Sequence, residues 1–138
     1  MRENMRLYHG KRVDNGKWVE GYFFETNTPV YRAFIIMDMA VDITDGYTDI
    51  LGFNIVEVDP ETVGQYTGLT DKNGKMICEG DIVKYDGNYS IGYVNGVYRL
   101  FNESGFYSVS VHNYYSYLEV IGNIHDNPEL LKGGGSND

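Results

Sequence analysis

Three histidines, a surplus of carboxylates and one cysteine are the residues of this chain best able to do chemistry, and their spacing limits what they can do. A zinc site needs three or four His, Cys or carboxylate ligands at short, repeated intervals. His9, His112 and His125 stand at least a dozen residues apart, and Cys78 is the lone cysteine. Each histidine therefore reads as a surface or strand-edge residue. Cys78 reads as a half-buried strand residue, with a reactive thiol as the alternative. With one cysteine no intrachain disulfide can form, and a cytoplasmic location is expected. No metal and no cofactor is expected.

The remaining motifs resolve into turns. Asp71-Lys72-Asn73-Gly74 begins like a calcium loop, but glycine falls fourth rather than sixth and a lysine intrudes, so a hairpin turn is predicted. Gly64-Gln65-Tyr66-Thr67-Gly68-Leu69 is not followed by Gly-Lys-Ser/Thr and is no phosphate loop. Its glycines allow a strand to bend or a second backbone to approach. Glu79-Gly80-Asp81 is the most tempting acidic pair. Asp81 is expected to cap backbone N–H groups in the tight turn before its strand, with general acid–base chemistry as the alternative. No catalytic residue is assigned, and the protein is expected not to be an enzyme.

Aromatic residues are the class best suited to touch a partner. The chain has 13 tyrosines, 6 phenylalanines and 1 tryptophan, a heavy load for 138 residues. Tyrosine offers a large contact area with a hydroxyl that tolerates water. Most of these rings should fill the core or form cross-strand pairs. Tyr114-Tyr115-Ser116-Tyr117 cannot all point inward on a strand, so Tyr114, Tyr115 and Tyr117, with Tyr93 and Arg99, are the candidate binding residues. Trp18 is expected to anchor the core.

Charge narrows the partner class. The formal net charge is −9, and from Asp38 to Glu61 there are seven carboxylates and no Lys or Arg. A protein that grips phosphates needs basic residues to displace counterions, so direct nucleic-acid binding is disfavoured. Asp38, Asp42, Asp45 and Asp49 form a candidate acidic surface. It serves solubility, or meets a basic host protein, or imitates nucleic acid. A third possibility is a sponge for a nucleotide signal, with tyrosines stacking on the base and Arg99 or Lys84 facing the phosphates. The longest apolar runs, such as Ala33–Met37, are too short to span a membrane, and nothing at the N-terminus reads as a signal peptide.

The elements that must carry these residues are strands. Asn15-Gly16, Asp45-Gly46, Asn73-Gly74, Asp86-Gly87 and Asn95-Gly96 are hairpin turn pairs, which accept positive φ. Between turns lie short runs rich in Tyr, Val, Ile and Phe: 17–24, 31–37, 50–58, 81–85, 89–94, 97–101, 106–111 and 118–124. No segment longer than ten residues keeps a helical period. One short helix is predicted at Asn127-Pro128-Glu129-Leu130-Leu131, where proline takes the first helical position, followed by a flexible tail. Asp59-Pro60 interrupts the strand pattern and places a boundary near residues 59–66. Gly10 to Gly21 and Gly68 to Gly80 echo each other, as two similarly built hairpins or an old duplication.

In order along the chain, three stretches resemble the YopX family of phage and prophage proteins. They are Gly10-Lys11-Arg12-Val13-Asp14-Asn15-Gly16-Lys17-Trp18-Val19-Glu20-Gly21-Tyr22, then Val58-Asp59-Pro60-Glu61-Thr62-Val63-Gly64-Gln65-Tyr66-Thr67-Gly68-Leu69 with the following Asp71-Lys72-Asn73-Gly74 to Glu79-Gly80-Asp81-Ile82-Val83, and Glu119-Val120-Ile121-Gly122-Asn123-Ile124 with Asn127-Pro128-Glu129-Leu130-Leu131. The resemblance implies a two-part β architecture whose C-terminal half is similar to an SH3-like barrel starting at Gly80-Asp81-Ile82-Val83. It brings no catalytic residue. The expectation is thus an all-β protein with an N-terminal subdomain at 1–60, a barrel subdomain at 61–126, and a helical turn and tail at 127–138. Open sheet edges and exposed aromatics suggest a homo-oligomer, acting as a non-catalytic binding module in the bacterial host cytoplasm.

Overall fold

The computed structural model describes residues 7–44 and 47–132, with side chains outside 38–53. The Asp45-Gly46 turn and the tail at 133–138 lie outside the described residues. The described chain is all-β with short helical turns, and divides into two compact units after Gln65. Among the described residues no helix is long and apolar enough to cross a membrane.

In the first unit β1 (Tyr8–Arg12), β2 (Trp18–Thr26), β3 (Arg32–Thr44) and the first part of β4 (Tyr47–Thr70) pair antiparallel in that order. β1 pairs with β4 as well as β2, so the ring of pairings closes. Alternation decides the inside. Ala33, Ile35 and Val58 are fully buried, with Val19, Phe23, Met37, Val56 and Val63 packed on them. Gly21 is glycine because a Cβ there would collide with the Ile36 carbonyl oxygen of the neighbouring strand.

Trp18 is not the core anchor that was expected. It precedes Val19, which faces the core, so the period of two turns Trp18 to the other face, where its ring lies 4.7 Å from His9. Asp59-Pro60 does not end the strand either, since β4 runs through it. The β1–β4 register shifts between His9 and Lys11, and the extra residues form a bulge where the missing proline N–H costs no ladder bond. Thr62 holds the bulge. Its hydroxyl donates to the Asp59 carbonyl at 2.6 Å and accepts the Lys11 N–H at 2.8 Å.

In the second unit the end of β4 pairs with β5 (Met76–Cys78). A five-stranded antiparallel sheet follows, made of β6 (Asp81–Lys84), β7 (Asn88–Val94), β8 (Val97–Phe101), β9 (Tyr107–Ser110) and β10 (Glu119–Asn123), in the order β10-β6-β7-β8-β9. Its core is Ile77, Val83, Ile91, Leu100, Val111 and Leu118. The predicted turns are present. Asp86 and Gly87 have φ of 50° and 126°, and Asn95 and Gly96 have 51° and 84°, the mirror-image geometry that tight hairpins need.

Helical structure differs from expectation in one place. Pro128–Leu131 forms a short 3-10 turn with proline near its start, as predicted. A four-residue helix α1 (Val111–Tyr114) and a 3-10 turn (Tyr115–Tyr117) also join β9 to β10, so the Tyr114–Tyr117 cluster does not lie on a strand. Ser110 starts this segment, its hydroxyl accepting the His112 N–H at 3.2 Å. Cys78 is fully rather than half buried.

Candidate functional site

Two buried carboxylates set the frame of the second unit. Asp71 opens the β4–β5 hairpin, where Gly74 takes φ of 84°. One carboxylate oxygen accepts the N–H groups of Asn73 and Lys75, each at 2.9 Å, and the other accepts that of Val120 at 2.8 Å. Burial alone would raise this acid's pKa. The donors from Val120, Lys75 and Asn73 outweigh it and hold the pKa below the usual carboxylate value. Lys72 N–H donates to the Leu118 carbonyl at 2.9 Å, so the hairpin is tied to the start of β10 at two points. This is a structural latch, as the turn reading required.

Asp81 behaves differently. It is buried and accepts the Cys78 N–H at 2.8 Å, capping the turn in which Gly80 has φ of 93°. Desolvation outweighs that bond and lifts its pKa to about 6. A carboxyl poised near neutrality belongs in many catalytic sites. Asp81 also makes the cap predicted for it, at the first residue of β6.

The same unit carries an open pocket of about 370 Å³, lined by Thr67, Leu69, Gly96, Val97, Tyr98, Ser110 and His112. Its size suits a small molecule or an inserted side chain. Leu69, Val97 and the Tyr98 ring make its apolar wall. The Thr67 hydroxyl donates to the Ile77 carbonyl at 2.8 Å and accepts from Leu69 N–H. The Ser110 oxygen accepts the cap bond, which leaves its O–H as a donor for an occupant. His112 is exposed and is the imidazole of the lining, able to donate or accept. Arg99 and Lys84, which the nucleotide reading required, do not line this pocket.

The aromatic candidates occupy three places on this unit. Tyr93 is 55% exposed and meets Tyr98, one of the residues lining the pocket, edge-on at 4.8 Å. Tyr114 and Tyr117 cluster with Tyr85, at centroid distances of 5.5, 6.3 and 6.4 Å. Tyr114 is half-buried against the core, while Tyr115 and Tyr117 are 38% and 62% exposed. Arg99 lies elsewhere, on the outer face of β8. Its guanidinium donates to the Ser108 carbonyl at 2.9 Å and sits over the Tyr107 ring at 5.6 Å. Phe101 lies beside Tyr107 at 5.5 Å and covers Gly92, where a Cβ would come within 2.5 Å of the ring.

Sequence reading missed Thr67, Ser110 and His112 as neighbours. Residues 67, 98 and 110 converge only through strand pairing. The one local signal was Ser110 before Val111, a helix-start residue, but a four-residue helix is too short to show a period. Of the acidic set, the strand register places Asp42 opposite Asp49 and Asp38 opposite Asn54. Asp45 lies outside the described residues.

No curated protein matches the sequence. Among solved structures the chain is similar to protein EF1440 from Enterococcus faecalis, with a TM-score of 0.62 and 24% identity. That match covers 92% of this chain and 98% of the other, and shows a shared fold. The sequence also matches the family described as YopX protein over residues 32–132, which takes in β3, β4 and the entire second sheet. The chain belongs to the YopX family.

Proposed function

We propose that this protein is a non-catalytic binding module of phage or prophage origin, working as a homo-oligomer in the bacterial host cytoplasm. The observation that carries the reading is the exposure of Tyr93, Tyr115 and Tyr117 on one unit, with Tyr93 packed on Tyr98, a residue that lines the 370 Å³ pocket. Tyrosine is enriched where partners dock. The pocket offers one apolar wall and the Ser110 hydroxyl, a pattern for holding a ring with a hydrogen-bonding edge rather than for transforming it.

The second unit is read as an SH3-like barrel. Its support is the strand order β10-β6-β7-β8-β9, in which the last strand returns beside the first after a helical turn. Native mass spectrometry of protein purified from a bacterial host tests the functional reading. A multimer, or a retained small molecule lost on Tyr93→Ser, is expected. A bare monomer together with measured turnover that vanishes on changing one carboxylate would refute it.

A second reading has its own support. Seven carboxylates and no Lys or Arg fall between Asp38 and Glu61, and the strand register sets position 42 opposite position 49, both aspartate. In that reading the hairpin meets a basic host protein or imitates nucleic acid, as a counter-defence device. Binding to such a partner should weaken steeply with salt.

A further inference from the structure

Three departures from regular strand structure meet at the pocket of the second unit. On β4, residues 67–69 stand opposite the single residue Ile77 of β5, between the pairs Tyr66↔Cys78 and Thr70↔Met76, with Gly68 at φ of 88°. On β9, Ser108 and Val109 stand opposite Leu100 alone, between the pairs Arg99↔Ser110 and Phe101↔Tyr107. The third is the mirror-image turn at Asn95-Gly96. Bulges are over-represented beside sites, where they re-aim side chains. Together these three bring Thr67, Leu69, Val97 and Ser110 to one cavity of about 370 Å³. That volume falls in the range of about 300–1,000 Å³ typical of small-molecule sites.

The lining selects the chemistry of the occupant. It contains no Asp, Glu, Lys or Arg. A phosphate or carboxylate would enter without a counter-charge, and against a chain of net charge −9. An ammonium group would find no carboxylate to pair with. The occupant is therefore uncharged. The Thr67 hydroxyl gives its proton to the Ile77 carbonyl at 2.8 Å, so it serves as wall rather than reader. Ser110 accepts the His112 N–H and keeps its own O–H to donate, and the His112 imidazole stands beside it in the lining. So few polar groups are too sparse for a sugar, which needs a partner for most of its hydroxyls. A plain hydrocarbon would strand the half-buried Ser110 O–H. A planar ring with a polar edge meets both demands, its face on Leu69, Val97 and Tyr98.

We propose that this pocket takes an uncharged nitrogen heterocycle of nucleobase size, bound as the free base or nucleoside and without phosphate. Ser110 and His112 pair with the polar edge of the ring. The proposal rests on the binding-module reading above and names its ligand.

The test is titration of the full chain with adenosine, guanosine, cytidine and uridine, by calorimetry and saturation-transfer NMR, each beside its monophosphate. At least one nucleoside should bind with a Kd below about 1 mM, and its monophosphate should bind about tenfold more weakly or worse. Ser110→Gly removes the hydroxyl and leaves a residue tolerated at a helix start, and His112→Ala removes an exposed ring. Each should weaken the nucleoside about two- to tenfold with unchanged far-ultraviolet dichroism. Should Ser110→Gly fail to fold, His112→Ala decides alone. Binding that neither variant weakens, or a monophosphate that binds as tightly as its nucleoside, overturns the proposal. So does a chain that binds none of the four, and if native mass spectrometry then shows a multimer, the binding-module reading stands without this ligand. A nucleoside that binds at Ser110 and His112 but is converted to product supports the site and overturns the non-catalytic reading.

Discussion

Replacing Asp71 by asparagine should loosen the second unit far more than its conservative shape suggests. The buried carboxylate has three backbone donors, with two N–H groups on one oxygen and Val120 N–H on the other. Asparagine keeps one oxygen. If that oxygen stays with Asn73 and Lys75, the new NH2 faces the Val120 N–H, donor against donor. One charge-assisted bond is lost, worth about 1.5–3 kcal/mol, and the Val120 donor is orphaned in a partly buried place. The two surviving bonds drop from charged to neutral, which roughly halves each. A total loss of about 3–4 kcal/mol is expected, a large share of the ~5–15 kcal/mol that holds a domain folded. Urea unfolding followed by tyrosine fluorescence measures it. The pH dependence supplies a second reading. Asp71 is held below its ordinary pKa, so its stabilisation is complete above that value and is lost as pH falls through the folded pKa. The Asp71→Asn variant should lack that component of acid sensitivity. A loss under about 1 kcal/mol with an unchanged acid limb would refute the latch.

Other consequences are as concrete. Asp81 has a folded pKa of about 6, above its ordinary 3.8, so the native state holds this proton more tightly than the unfolded chain. Its contribution is most favourable below about pH 4 and is lost as pH rises through about 6, a difference of about 3 kcal/mol. Asp81→Asn keeps an acceptor for Cys78 N–H, so in denaturant titrations the variant should match the parent in mild acid, where the carboxyl is protonated, and exceed it in mild base. Equal stability at both ends would show that the carboxylate is not desolvated. Gly21→Ala should cost about 3 kcal/mol or more, because its Cβ meets backbone rather than a movable side chain. An unchanged melting temperature would contradict the β2–β3 spacing. Tyr117→Ala should leave stability within about 0.5 kcal/mol of the parent, since the ring is mostly in water. A large loss there would mean that the Tyr85–Tyr114–Tyr117 cluster is core rather than surface.

Much of the fold was legible because the signals were local. Asn95-Gly96 and Asp86-Gly87 announce mirror-image turns through two residues that tolerate positive φ, and both take that geometry. The run 89–94 alternates, 97–101 is dense in apolar and aromatic residues, and both appear within a residue or so of their observed limits. Three stretches of strand give no such signal: Tyr8–Arg12, the part of β4 after Pro60, and Met76–Cys78. The first two are broken by glycine, charge or threonine and the third is only three residues long, so their strand character comes from pairing rather than from their own residues. Trp18 misleads for a related reason. Size argues for the core, yet a one-residue offset from Val19 puts it on the opposite face.

What the chain's residues decided alone is the class of object: an all-β protein of hairpins, YopX-like in its motifs, with an Asp71 turn and an Asp81 cap whose roles follow from position. Tertiary structure decided the rest. Thr67, Tyr98 and His112 line one pocket, and Tyr93 parts from Tyr114, because strand pairing joins residues that sequence separates by dozens of positions. The two register shifts in the β3–β4 pairing likewise emerge only with the structure, since nothing in either strand read by itself marks them.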